Sequence, residues 1–397
     1  MHGHDRVRPE TRQRVREVIE ELGYIPDSAA QSLSRRRKEV IGLVSVAREA
    51  QQYDVENMSL LFYDEVLHGV EARLRDERDW SLLISFLTSE DSEGFSRLQS
   101  LSAKVDGLLI GEGIVSAEHL ARLAERVPIV VIAGQPHERV VDNVVADNRA
   151  GAVALVTHLV KEHGRRRIFH VDGPATSPDA RERRAALEAV LAATPRCRLV
   201  GTYRGLFSVR SGEQAAEQLL ASGGALPDAI VCANDQMAIG VLQEFSRAGV
   251  RVPEEVAVVG FDDIYPGNLS DPPLTTVHQP MRLLGERACS RLLERIARPN
   301  MRPTLQMLPT ELVLRSSCGC PAGTVQRTPV RSGKRVAAVR TATRTNGTPA
   351  PAARRRTPKE SAGSDAGGTA GTSAPRRTKV SVESAARRTA PVPGGAG

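Results

Sequence analysis

Two short apolar runs, Ala229–Cys232 and Val256–Val259, each stop at a polar corner, Asn234-Asp235 and Asp262-Asp263, and a helical pattern lies between them. Runs this short and continuous predict strands covered on both faces, as in a parallel sheet, rather than the alternation of a half-solvated antiparallel one. The same rhythm runs from Glu39 to about Pro321. It predicts strands at Val40–Val46, Ser81–Phe86, Gly107–Ile110, Ile129–Ala133, Asn143–Ala146, Arg167–Val171, Ala229–Cys232, Val256–Gly260 and Thr275–Val277. Helices are predicted near 60–78, 116–126, 148–163, 179–193, 209–222, 234–248 and 280–298. Strand–helix alternation of this kind makes a doubly wound α/β fold, in which ligands sit at the carboxyl ends of the strands. The length fits two similar lobes with a small-molecule site between them.

The flanks differ from this body. Before it, Val15, Val18, Ile19 and Leu22 fall on one helical face, with Pro9 suited to the first turn and Gly23 to the position just past the end. A helix this short is not stable alone, so its stripe needs a partner. After it, residues 321–397 contain no Leu, Ile, Met, Phe, Tyr, Trp or Cys and are predicted to be disordered. That stretch holds fifteen Lys and Arg against three Asp and Glu, a charge of +12. With +7 for the whole chain, residues 1–320 carry −5, so the high pI belongs to the tail. Two readings of the tail stand side by side: sequence-independent attraction to phosphate backbones, or an extension without a role.

No apolar run is long enough for a membrane span, and MHGHDRVRPETRQRV lacks the apolar centre of an export signal, which predicts a cytoplasmic protein. The five cysteines form no even framework. Cys318-Gly319-Cys320 has no second pair and no neighbouring histidine in sequence, so it reads as free thiols and no metal site is expected. His158 and His163, five apart, do not share a helical face well. There is no P-loop, no GxSxG, no HExxH and no convincing glycine-rich dinucleotide turn, which predicts that the chain is not an enzyme and carries no cofactor.

Several separated segments, VRPETRQRVREVIEELGYIPDSAAQSL, ANDQMAIG, VVGFDD and PPLTTVHQP, resemble in order and spacing the LacI/GalR (lac-repressor-type) family of transcriptional regulators over about residues 6–320. The resemblance implies a two-lobed, periplasmic-binding-protein-like effector domain. A partial helical DNA-binding head precedes it and the disordered basic tail follows. Residues 1–38 would be the remnant head plus a hinge helix. Lobe one would span about 39–161 and 279–303, and lobe two about 162–278 and 304–320. It also implies a DNA-binding repressor controlled by a small effector, a sugar, and acting as a homodimer or tetramer. Met1 falls where the family's reading helix should be ending, so the resemblance implies a truncated helix-turn-helix, from a misassigned start or a gene deletion, and weakened or lost operator recognition.

At residue level, Leu33 matches the hinge leucine that wedges into the minor groove in this family, the competing reading being an ordinary linker leucine. Arg35, Arg36, Arg37 and Lys38 follow as phosphate contacts. For the effector, Arg183 in PDARERRAAL matches the arginine that clamps the ligand, against a solvated helix arginine. Phe207 matches an aromatic that packs on the sugar's apolar face, against core packing. Asn234 and Asp262 match residues that bond sugar hydroxyls, against helix caps and turn formers. Asp147 in VVADNRAG and Gln279 in TVHQP match further pocket positions. Two features depart from the family: the long loop AREAQQYDVENMSLLFYDE after the first strand, and Ala133, which replaces a polar ligand contact of some members. A sugar-binding protein of the same fold without DNA binding is the rival reading; it would need an export signal and no head.

Overall fold

The computed structural model describes residues 8–23, 37–46, 60–77, 79–87, 92–111, 115–134, 140–323 and 325–330. Helix α1 (Pro9–Glu21) opens the chain, and its stripe faces water at Val18 and Leu22, 43% and 73% exposed. The first half of the body runs β1 (Val40–Val46), α2 (Leu60–Leu74), β2 (Ser81–Leu87), α3 (Ser92–Ser102), β3 (Gly107–Gly111), α4 (Ala117–Ala124), β4 (Ile129–Ile132) and β5 (Asp142–Ala146). Then follow α5 (Asn148–Lys161), β6 (Arg167–Asp172), α6 (Pro178–Ala192), β7 (Arg198–Arg204), α7 (Val209–Ala221), β8 (Ala229–Cys232), α8 (Asp235–Arg247), β9 (Ala257–Val259) and the single turn α9 (Tyr265–Asn268). The described residues end with β10 (Thr276–His278), α10 (Met281–Ala297), β11 (Leu305–Leu308), β12 (Glu311–Leu314), a 3-10 turn at Ser316–Cys318 and β13 (Gln326–Pro329). No helix among the described residues is long and apolar enough to cross a membrane.

Two parallel sheets carry the body, in the orders β11-β5-β4-β3-β1-β2 and β7-β6-β8-β9, with a small antiparallel sheet β10-β12-β13. The fold is the doubly wound α/β expected from the apolar runs. GLLIG of β3 and IVVI of β4 are buried at every position, as strands covered by helices on both faces must be. Helices α2 and α10 cross so closely that a Cβ on Gly69 or Gly285 would meet the other helix's carbonyls, at Arg282 and Val66. This crossing brings chain from beyond the second sheet back onto the first. Asp142 reinforces it: its buried carboxylate accepts from Arg291 Nε (2.9 Å), Arg295 Nε (2.7 Å) and Thr304 N (2.8 Å).

The points where the chain changes sheet differ from the sequence expectation. Helix α5, placed before a boundary at 161, packs with the second sheet: Leu155, Val156 and Leu159 are buried with Ile168, Ala186 and Leu187. Strand β11, placed with lobe two after 304, pairs in parallel with β5 of the first sheet. The crossings therefore fall next to Asp147, Gln279 and Thr310, and the first and last touch, since Thr310 Oγ1 donates to the Asp147 carbonyl (3.3 Å) and Asp147 N to Leu308 O (2.9 Å). A third difference lies in the tail. Gln326–Pro329, inside the stretch expected to be disordered from 321, forms β13 against β12, and Arg327 bonds the Asp263 carboxylate (2.7 Å). Ladder hydrogen bonds and an ion pair hold it, which an inventory of apolar residues does not register. Residues 331–397 lie outside the described residues.

Candidate functional site

Four strand ends and the three crossings converge on one set of side chains. At the ends of β8 and β5, Asn234 and Asp147 each accept a backbone N–H three residues on, Met237 N (3.0 Å) and Ala150 N (2.9 Å), so both cap helices. Capping points Asn234's remaining amide outward, where it donates to the Phe207 carbonyl (3.2 Å). Helix α6 starts at Ser177, whose Oγ accepts from Ala180 N (3.2 Å), and this aims Arg183 inward. Arg183 is only 6% exposed.

The Arg183 guanidinium ties the crossings together. Nε donates to Asn148 Oδ1 (2.8 Å), Nη1 to Ala233 O (2.7 Å) and more weakly to Asp262 Oδ1 (3.4 Å), and Nη2 to Gln279 Oε1 (3.0 Å). Its carbon lies 3.7 Å from the centre of the Phe261 ring, a cation–π contact. Asp179 completes the set, accepting from Asn148 Nδ2 (2.9 Å) and Gly134 N (3.2 Å) at the end of β4. Arg183 thus joins the second lobe to two of the crossings, and Asp179 reaches the first lobe.

Burial dominates the electrostatics. It pushes the Asp262 carboxyl up to about 8, outweighing the Arg183 guanidinium, with Asp235 and Asp179 adding to the rise. Asp235, wholly buried, is pushed up to about 6 by burial although Thr276 Oγ1 (2.5 Å) and Ile264 N (2.9 Å) donate to it. For the neighbouring Asp263, burial also works upward, but His278, Arg315 and Arg327 outweigh it and hold the carboxyl below its ordinary value. Backbone strain gathers at the same place. Ala133, Phe207, Asp262 and Asp263 all have positive φ (63°, 61°, 127° and 61°), a conformation that costs non-glycine residues energy and marks functional sites.

The structure brings Arg183, Asp262 and Gln279 into direct contact, sets Asn234 against Phe207, and places Asp147 one residue from Asn148. Sequence reasoning missed Asn148, Asp179 and Phe261. The first two were visible as polar residues inside helix patterns, but only tertiary contact shows that they are buried. Of the residues assigned to DNA, Leu33, Arg35 and Arg36 lie outside the described residues. Arg37 and Lys38 are exposed, and Lys38 is anchored to the first lobe through N to Asp106 Oδ2 (2.9 Å) and Nζ to Val105 O (2.9 Å). Far from this site, His158 and His163 stand beside Cys318 and Cys320, although neither pair neighbours the other in sequence.

Comparison with known proteins agrees with this architecture. Residues 156–318 match the periplasmic binding protein-like domain family. The chain is 30% identical over 320 residues to the HTH-type transcriptional repressor PurR of Pasteurella multocida, covering 78% of this chain and 90% of that one. It is 33% identical over 304 residues to the ribose operon repressor of Escherichia coli, covering 75% and 87%. Among solved structures, the transcriptional regulator CelR–cellobiose complex aligns with a TM-score of 0.61 at 31% identity, over 79% of this chain and 92% of that one. The lac repressor dimer bound to operator and the anti-inducer ONPF aligns with a TM-score of 0.68 at 27% identity, over 79% and 91%. Identity sustained across nine tenths of a repressor's length, on the same two-lobed body, establishes that this chain belongs to the LacI/GalR family of transcriptional regulators.

Proposed function

We propose that this regulator binds a small polyhydroxylated effector, a sugar, between its lobes, and that the bound effector sets its affinity for operator DNA. The observation that carries the reading is Arg183: a buried guanidinium fork that bonds the second lobe and the residues at two crossings. Such a fork can donate to two vicinal hydroxyls at once. Asn234 and Asp262 supply further polar groups to hydroxyls, and Asp147 and Gln279 close the site from the crossings. Phe207 offers an apolar ring face, and Ala133 leaves one edge of the ligand without a polar partner. Two similar proteins, the transcriptional regulator CelR in complex with cellobiose and a ribose operon repressor, favour a carbohydrate.

An effector that binds one lobe arrangement better than another shifts the population between them, typically by about 1–3 kcal/mol of coupling. Lys38 and Glu39 both donate backbone N–H to Asp106, so the strand leading from the DNA-binding segment moves with lobe one. In that segment Leu33 acts as the minor-groove wedge, and Arg35, Arg36 and Arg37 contact phosphates. The regulator works as a dimer, for which edge strand β2 offers Leu83, Ile84 and Phe86, exposed by 38%, 41% and 48%. Phe86→Glu is expected to convert the dimer to monomers in sedimentation at micromolar concentration; an unchanged dimer would rule this edge out.

The test of the function is a panel of mono- and disaccharides in a thermal-shift assay. At least one should stabilise the protein in proportion to the logarithm of its concentration, as a ligand that binds only the folded state must. The same sugar should change affinity for DNA fragments from around the gene. A panel without a hit, or a hit without any effect on DNA affinity, would count against the reading.

A further inference from the structure

The far end of α5 carries a second constellation. His158 lies in the helix's last turn and His163 just beyond its end, while Cys318 closes the 3-10 turn and Cys320 follows Gly319. The two pairs are about 160 residues apart in sequence, yet the four donor atoms all lie within 4.8 Å of one another. His158 Nε2 is 3.0 Å from His163 Nε2, 3.6 Å from Cys318 Sγ and 3.5 Å from Cys320 Sγ, and Cys320 Sγ is 3.5 Å from His163 Nε2. Zinc bonds of about 2.0–2.1 Å to nitrogen and 2.3 Å to sulfur set tetrahedral edges of roughly 3.3 Å for N···N and 3.6 Å for N···S. Three nitrogen–sulfur spacings match those edges, the nitrogen pair is slightly tighter, and the remaining pairs lie within 4.8 Å.

We infer that His158, His163, Cys318 and Cys320 form a structural zinc site. Two thiolates and two neutral imidazoles in tetrahedral array select zinc over harder cations, and four protein ligands leave no position open for a substrate. Two thiolates also cancel the ion's charge, so the site is neutral when filled. Gly319 (φ 113°) makes the turn possible: it lets both thiols of Cys-Gly-Cys face the same point, and a Cβ there would press to 3.1 Å on His163 Nδ1. A hydrogen-bonded cluster of neutral thiols and imidazoles would account for single distances. It does not require all four donors to converge.

The site would act as a clamp on the effector lobe. It fixes the segment in which Ser317 Oγ accepts from Thr275 N (2.8 Å) and donates to Val258 O (2.6 Å), and in which Arg315 holds Asp263. At its other end α5 presents Asp147 and Asn148 to the crossings. Zinc therefore joins the helix that starts in the cleft to the C-terminal turn that supports the strand before Asp262.

The test uses the full chain, purified without chelator and without a histidine tag. Elemental analysis should find one zinc per chain, and Cobalt(II) exchanged into the site should show tetrahedral d–d bands and thiolate charge transfer. Zinc removal should lower the melting temperature of the wild type and leave that of Cys318→Ser/Cys320→Ser unchanged. The single variant His163→Gln, less disruptive of the buried turn, should lose the cobalt charge-transfer signature in its wild-type form. Zinc content equal in wild type and the double cysteine variant would overturn the proposal, as would a wild type with no zinc and no cobalt spectrum, or a Cys318–Cys320 disulfide in the freshly purified protein.

Discussion

Arg183→Ala is expected to abolish stabilisation by the effector and to weaken its binding by roughly 100-fold or more, about 3 kcal/mol, the scale of losing a buried charged hydrogen-bond partner. The expectation rests on its partners: Asn148, Ala233, Gln279 and Asp262 all meet the one guanidinium, so its removal deprives the ligand of a clamp and the second lobe of its bonds to the crossings. Some intrinsic stability should go too, because Asn148 Oδ1 and Gln279 Oε1 lose a buried donor. Arg183→Lys separates the two effects: it keeps the charge but not the fork, so it should recover part of the melting temperature and little of the affinity. Calorimetric titration of a sugar identified by the panel checks this. Wild-type affinity in both variants would remove Arg183 from the site.

Asp262 gives the second large effect. Its folded carboxyl is raised to about 8 from an ordinary 3.8, so the folded protein keeps a proton that the unfolded chain releases. The resulting stability is complete below about pH 4 and is lost as pH rises through the folded value near 8, by up to about 1.4 kcal/mol per pH unit in that window. Asp262→Asn should lack this slope and gain on the wild type between pH 5 and 8 in chemical denaturation. Ligand binding inverts the preference. Hydroxyls that donate to Asp262 favour the ionised carboxylate, so binding near pH 7 should release up to about one proton. Titrations in buffers of different ionisation enthalpy should reveal that proton in the wild type and not in Asp262→Asn. Equal enthalpies in all buffers would mean that the effector does not engage the Asp262 carboxylate.

Much of the fold was legible because the central strands are covered on both faces. GLLIG and IVVI can hardly be anything but buried strand, and the Asn234 and Asp262 corners mark where such strands stop. Edge strands β2 and β9 were legible, but β7, β11 and β13 were not. β7, Arg198–Arg204, alternates between exposed and half-buried positions and carries charge at both ends, and β13 contains no large apolar residue. The helix α3, SEGFSRLQSLS, was also missed, although Phe95, Leu98 and Leu101 recur at three-residue spacing. Helix α5 was readable as a helix, but the sheet that receives its Leu155 and Leu159 face is a property of packing. The same limit applies to chemistry. Arg183, Phe207, Asn234, Asp262, Asp147 and Gln279 came from the family resemblance, whereas Asn148 and Asp179 join the network only through their hydrogen-bond partners. Histidines and thiols some 160 residues apart carry no spacing signal at all.

The central claim, that a polyhydroxylated effector sits between the lobes on the Arg183 network, is tested most directly by a crystal structure of the protein with the sugar selected in the panel. Electron density for the sugar is expected beside Arg183. Vicinal hydroxyls should lie within hydrogen-bond distance of both guanidinium nitrogens that now serve Ala233 and Gln279, a further hydroxyl should contact Asp262, and the sugar's apolar face should rest on Phe207. A sugar bound elsewhere on the molecule, with the Arg183 bonds to Asn148 and Gln279 unchanged and no contact to Asp262, would contradict it.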